Sequence, residues 1–479
     1  MTETPPRSED GFANGAAPGG ETPAPEEARP PEEGYELPPD LVREVRDALA
    51  DGQVGAVEEI MLPLHPADQA DVIEYLDSDE RLLLIDVLGS AIDPEVLAEL
   101  DPGLREEAID QLGPHDFVRV LSALDSDDAV EIFEDLDDEV QNRLLTALPR
   151  AYRQLIEESL SYPEDSAGRL MQREFVAVPA AWTVGQTIDF MRGAEELPDD
   201  FYDLFVVNPK HKPVGAIPLS RVLRSRRPQR LTEIMDTDLK PVALEMDQED
   251  VAYTFRQYRL VSAPVTDESG RLVGVITVDD VVDVIDEEAE EDIMKLGGVG
   301  EADLYSAALD TTKSRFPWLV VNLLTAILAS LVIGLFEGTI EQLVALAVLM
   351  PIVASMGGNA GTQTLTVAVR SIAMKDLTAA NALRFVWREL LVGGSNGVLF
   401  AVLTGVIAWL WFADPWLGLV IGVAMIVNMV VAGLSGTVIP LGLERLGVDP
   451  AIASSVFLTT VTDVVGFFAF LGLAALFLF

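Results

Sequence analysis

No cysteine occurs anywhere in the chain, which excludes disulfides, thiolate metal sites and thiol catalysis. Histidine is almost as scarce: His65, His115 and His211 are scattered without ligand spacing and argue against a zinc site. Positive charge is short too, with 32 Lys and Arg against 79 Asp and Glu, a formal balance of −47. So acidic a surface repels nucleic acid and anionic lipid and concentrates cations, and no nucleic-acid partner is expected. The first forty residues hold no apolar run and hence no visible signal peptide; their Pro, Gly, Glu and Ala content reads as a disordered tail. Neither a Walker loop nor a nucleophile–base pair is present, which argues against an enzyme and against a nucleotide-driven pump.

What the chain has instead is a sharp division. From Pro317 to Phe479 it is almost continuously apolar, so nearly all of the negative charge sits on the part before it. Five segments, 317–336, 340–370, 385–412, 416–443 and 450–479, are each long enough to cross a hydrocarbon core of ~30 Å. Lys313 and Arg315 precede the first segment, Arg370, Lys375, Arg384 and Arg388 lie between the second and third, and Arg445 lies between the fourth and fifth. The opposite loops carry no Lys or Arg. This bias predicts a multi-pass protein of the inner (plasma) membrane with a cytoplasmic N-terminal half and its C-terminus outside.

The acidic half has two textures. Leucine recurs every twelve residues at Leu64, Leu76, Leu88, Leu100, Leu112, Leu124, Leu136, Leu148 and Leu160, usually followed by Asp, Gly or Pro. One short helix plus a turn fills twelve residues, with Asp capping the next helix or Gly closing the last, so a stacked helical array is expected. From Ser166 to Asp286 the pattern becomes β-α, with strands at 175–178, 204–207, 214–217, 241–244, 263–266 and 272–276. Two such units resemble a pair of CBS domains, most clearly in the run from Gly270 to Asp280. That resemblance implies a regulatory pair able to take ATP or another adenosine nucleotide, with Thr277 and Asp280 at its ribose-contacting positions. Asp286–Arg315 reads as a charged helical connector, acidic at its start and basic at its end, as suits a helix dipole.

Two features of the apolar part exceed what an anchor needs. The run from Met350 to Gln363 puts Pro351, three glycines, Asn359 and Gln363 into the second span, which would loosen a helix and calls for a wet cavity. Close helix packing through small residues is the simpler alternative. Asp463, read as the only acid well inside a span, shares a helical stripe with Thr459 and Ser455. No basic residue lies at comparable depth, so a bound cation is its natural partner. Hydroxyls, carbonyls and one carboxylate are hard oxygen ligands, suited to magnesium, calcium or manganese.

In their order along the chain, Ser161–Met171, Thr277–Asp283, the run Met356–Gln363, Asp449–Ala451 and Thr459–Asp463 resemble the MgtE family of magnesium channels over residues 41–479. The resemblance implies a multidomain fold: an α-helical superhelical N domain (41–165), an α/β CBS-domain pair (166–286), a plug helix (287–316) and an all-α, five-helix transmembrane domain (317–479). It implies a homodimer with Mg2+ as the conducted and sensed ion. Asp463, Thr459, Gly358, Thr362 and Ser455 match its pore, while Glu249, Asp280, Asp283, Glu288, Glu291, Asp292 and Asp449 match its regulatory acids. Ser455-Val456 replaces a usual proline-containing pair, which should straighten the last span. Arg259 stands where an acid is common, removing one carboxylate or replacing it with an internal ion pair. A manganese- or cobalt-preferring relative and a membrane-tethered nucleotide sensor remain the alternatives.

Overall fold

The structure, a computed structural model, describes residues 37–134, 136, 138–194, 197–198, 201–299 and 308–479. Most of the acidic tail and residues 300–307 of the connector lie outside the described residues. Nine helices come first: α1 (Pro39–Ala50), α2 (Val54–Met61), α3 (Pro66–Glu74), α4 (Ser78–Leu88), α5 (Glu95–Glu99), α6 (Pro102–Leu121), α7 (Ser126–Glu134), α8 (Asp138–Ala147) and α9 (Arg150–Ser159). All nine leucines of the twelve-residue repeat pack into one core. A second rule accompanies them: five residues after the repeat leucine, a long polar side chain turns back onto the preceding helix end. Gln69 donates to the Leu64 carbonyl at 3.0 Å, Arg105 to Leu100 at 3.2 Å and Arg153 to Leu148 at 3.1 Å. These bonds satisfy carbonyls that a helix end leaves orphaned, so each repeat closes its predecessor.

The α/β pair follows: α10 (Ala167–Leu170), β1 (Ala177–Pro179), α11 (Val184–Gly193), β2 (Asp203–Val207), β3 (Pro213–Pro218), α12 (Leu219–Arg224), α13 (Leu231–Ile234), β4 (Val242–Ala243), α14 (Gln248–Tyr258), β5 (Ser262–Thr266) and β6 (Leu272–Thr277). Each three-stranded sheet joins its first two strands in parallel and its last two antiparallel, with an irregularity at the same place, Val206/Val207 and Val265/Thr266. The two copies therefore share one topology.

Helix α15 (Val278–Gly297) starts directly at the end of β6 rather than near Asp286, because Thr277 and Asp280 form a capping box there. It stops at Gly298, whose φ of 67° is a left-handed conformation that a glycine adopts without strain. The connector is thus not one helix over 286–315. The next helix, α16 (Ala308–Gly334), begins a separate element, followed by α17 (Glu337–Gln342), α18 (Ala345–Ala373), α19 (Ala382–Phe412), α20 (Pro415–Arg445) and α21 (Pro450–Phe477). Five of these are long and apolar enough to cross a membrane. Residues 340–344, read as part of the second span, fall in α17 and the turn after it.

Helix α20 lies at the centre of the apolar part, against α18, α19 and α21. Its crossing with α19 is close: a Cβ added at Gly418 would lie 2.5 Å from the Gly405 carbonyl oxygen. Helix α18 is unbroken despite Pro351, which corrects the expectation of an interrupted second span. Gly361 serves close approach instead, since a Cβ there would meet Leu458 at 2.8 Å. Helix α21 is likewise continuous through Ser455-Val456.

If the repeat leucines carry the N-terminal array, truncating one should unfold it locally. Leu100→Ala, at a 1% exposed site, should remove about 2–5 kcal/mol of stability. A lowered urea midpoint of the helical transition in the purified chain would register this loss.

Candidate functional site

The acids that the sequence singles out gather in two seams, both reaching helix α15. In the first seam, two helix N-termini bring paired carboxylates together: Asp127 and Asp128 in the first turn of α7, and Asp279 and Asp280 in the first turn of α15. Burial, then the nearby Asp280, pushes Asp127 and Asp128 well above the ordinary carboxylate range. Asp280 itself is raised by burial, although the Thr277 hydroxyl donates to it at 2.7 Å and pulls the other way. Asp283 is raised by burial and by Glu131, and Glu99 by burial and by Asp283. The helical array and the α/β pair therefore meet across like charge. Ser126 holds the join together by donating to Glu174 at 2.7 Å while accepting from the Arg173 amide at 2.7 Å. Arg169 pairs with Glu134 beside it.

The second seam faces the apolar helices. Burial and Glu288 push Glu249 up to about 7, with Lys375 opposing the shift. Glu288 is raised by burial and Glu291, against a hydrogen bond from Gln248 at 2.9 Å. Asp292 is raised by burial and by Asp449. Here the chain supplies its own cations. Lys295 pairs with Glu291 and, at 2.8 Å, with Asp449; burial lowers its pKa, but these two partners prevail and raise it. Asp449 also caps α21, accepting from the Ala451 amide at 2.7 Å. Lys375, between α18 and α19, pairs with Asp250 and lies 4.9 Å from the Tyr253 ring of α14. Among the described residues no three carboxylates or imidazoles converge as a metal shell would require.

The candidate pore residues lie on α18 and α21. Asp463 is half-buried, and among the described residues no charged or hydrogen-bonding group reaches its carboxylate. Thr459, one turn earlier, is exposed and donates to the Ser455 carbonyl at 2.8 Å; Ser455 is half-buried. On α18, Thr362 donates to the Gly358 carbonyl at 3.0 Å, and a Cβ at Gly358 would meet nothing within 4 Å. Ser355, Asn359, Thr362 and Thr366 form an exposed polar stripe along α18.

Some assignments shift. Thr277 and Asp280, expected as ribose contacts, carry a structural role as well: they bond to each other and cap α15, and Asp280 belongs to the first seam. Arg259 makes no internal ion pair among the described residues: its side chain is exposed and its backbone ends α14 at φ 54°. A second carboxylate lies in a long apolar helix, near its start. Glu389 on α19 is 8% exposed, paired with Arg388 at 2.8 Å and reached by Thr364 at 3.3 Å. Sequence reasoning missed Asp127, Asp128, Glu131, Lys295, Glu389 and the buried Asn428. The cluster Asp125, Asp127 and Asp128 was a signal for the first two; nothing local marks the others.

The chain matches three family descriptions in order: the MgtE intracellular N domain over residues 64–165, the CBS domain over 231–287 and the divalent cation transporter over 350–473. It is 36% identical over 445 residues to the magnesium transporter MgtE of Thermus thermophilus, covering 91% of this chain and 98% of that one. The magnesium transporter MgtE of Enterococcus faecalis is 34% identical over 323 residues, 67% of this chain and 71% of that one. Among solved structures, the cytosolic domain of the Mg2+ channel MgtE in complex with ATP is similar at 32% identity and a TM-score of 0.48, over 51% of this chain and 99% of that one.

The raised carboxylates set a pH dependence. A group such as Glu249, ordinarily near 4.5 and here near 7, holds its proton more tightly in the folded chain than in the unfolded one. Folding then takes up protons across that window, so stability falls as pH rises from about 4.5 to about 7. In chelator, the urea midpoint of the cytoplasmic half should drop over this range, and Asp127→Asn should raise it at pH 8. A midpoint that climbs with pH would contradict this electrostatic account.

Proposed function

The chain belongs to the MgtE family of magnesium transporters, and we propose that it is a gated, passive Mg2+ channel closed by high cytoplasmic magnesium. The observation that carries this reading is on one helix. Helix α21 bears within its span the carboxylate of Asp463, which has no partner among the described residues, and at its N-cap Asp449, ion-paired to the cytoplasmic helix α15. A change in the acidic seams is thereby connected to the pore helix without an intermediary.

Transport, not catalysis, is the activity of the family. Asp463, Thr459 and Ser455 on α21 face the ion together with Gly358 and Thr362 on α18. Magnesium dehydrates reluctantly, so one carboxylate among hydroxyls and carbonyls suits an ion that keeps most of its water. The exposed polar stripe of α18 would be costly against lipid, which supports a homodimer whose second copy covers it and shares the pore. The acidic domain contacts the ends of α18 and α21 that carry Lys375 and Asp449. These contacts support the reading of the charge bias, in which that half is cytoplasmic and the C-terminus lies outside.

Gating follows from the seams. At low magnesium, Asp127, Asp128, Asp280 and Asp283 repel one another, as do Glu249, Glu288, Glu291 and Asp292, and the cytoplasmic units separate from α15. Divalent ions bridging these acids bring the units together and draw α15 onto Asp449. Each ion favours the same closed state, so several make the response steep. Thr277 and Asp280 offer a hydroxyl and a carboxylate to an adenosine ribose, but the acids around them would repel a triphosphate, so nucleotide would bind with magnesium.

Magnesium flux into sealed vesicles of purified protein tests the reading. Uptake should be abolished by Asp463→Ala and suppressed by high internal magnesium in the wild type. Combining Asp280→Asn, Asp283→Asn and Glu291→Gln should relieve that suppression, and suppression unchanged in this variant would sink the gating scheme. Manganese uptake without magnesium uptake would reassign the cargo.

A further inference from the structure

One buried polar side chain touches both pore helices from behind. Asn428, near the middle of α20, is fully buried, and its Nδ2 donates to the Val353 carbonyl of α18 at 2.8 Å. Its Oδ1 is buried with no hydrogen-bond partner among the described residues. The same amide is wedged between two glycines. A Cβ built on Gly357 of α18 would lie 2.1 Å from Nδ2, and one built on Gly466 of α21 would lie 2.8 Å from it. Gly357 adjoins Gly358, and Gly466 follows Asp463 by about one helical turn.

Stability does not explain this residue. The cost of an orphaned buried carbonyl offsets what the single hydrogen bond between these membrane helices returns. An apolar side chain of similar volume would fill the space without the orphan. What such a side chain would lack is direction: the amide fixes the level of α18 by bonding one carbonyl, and its flat body sets how near Gly357 and Gly466 approach. We infer that Asn428 is a positioning residue that fixes the separation of α18 and α21, and so sets how Gly358, Thr362, Thr459 and Asp463 stand along the pore shared with the second copy and which size of divalent cation passes there. This inference rests on the transport reading of those residues and adds the element that sets selectivity.

Vesicle uptake of Mg2+ and of the larger Ca2+, together with a thermal unfolding midpoint, tests it. Asn428→Ala should lower the Mg2+ to Ca2+ flux ratio at least about fivefold, equivalent to roughly 1 kcal/mol in relative barrier. Gly357→Ala alone should lower the thermal midpoint by crowding the amide. Adding Asn428→Ala to it should restore the midpoint while the flux ratio stays low, a separation that a purely structural role would not produce. Asn428→Leu, which keeps the branching at Cγ and loses the donor without adding charge, serves the same comparison if the alanine variant is not recovered. A flux ratio within about twofold of wild type in a recovered variant overturns the inference and leaves the channel reading intact. Absence of Mg2+ flux in the wild type overturns both.

Discussion

The structure depends on negative charge held closer together than it would choose to be. Two helix N-termini, those of α7 and α15, each carry paired aspartates in their first turn, and the fold sets them against each other. The positive ends of the two helix dipoles favour carboxylates at those places, typically by 0.3–1 kcal/mol each, which offsets part of the repulsion. Burial works against them, raising Asp127, Asp128 and Asp280 above the usual range. In a chain of formal charge −47 few internal cations are available to relieve this. A deficit of positive charge at a domain junction is what a divalent ion is suited to fill.

Where the chain does place cations, it places them at the join to the apolar helices. Lys295 ties α15 to the cap of α21, and Lys375 ties the end of α18 to α14. Both candidate pore helices are thus held to the acidic half at their near ends. The contacts are partly exposed ion pairs, weak singly and sensitive to competing charge, as the proposed gating requires of a joint. Asp449 has a double duty there, capping α21 and pairing with Lys295, so a shift of α15 acts on the backbone at the start of that helix.

Much of this was legible in the sequence, for identifiable reasons. A leucine every twelve residues encodes helix plus turn directly, and all nine leucines share one core. The β-α order of the paired units and the five long apolar helices were equally local signals. Other features were misread or were not local. The capping box of Thr277 and Asp280, read as part of a nucleotide motif, starts α15 eight residues before the acidic run that had suggested a connector. Proline and glycine in α18 suggested a broken helix, but Gly357 and Gly361 are contact points for side chains of α20 and α21, which sequence alone does not place opposite them. Asp127 and Asp128 meet Asp280 only through tertiary packing, and Glu389 gave no sign of its burial beside Thr364.

The most direct test of the account is the distance between the helical array and the α/β pair as a function of free Mg2+. The natural chain has no cysteine, so one label can be placed on each unit, by Glu139→Cys and Glu268→Cys, in the full chain in vesicles. The account predicts a long, broad distance distribution in chelator that shortens and sharpens as Mg2+ is added. It also predicts a short distance at all Mg2+ levels when Asp127→Asn, Asp128→Asn and Asp280→Asn are combined. A wild-type distance that does not respond to Mg2+ would contradict the claim that divalent ions close this chain by neutralising its opposed carboxylates.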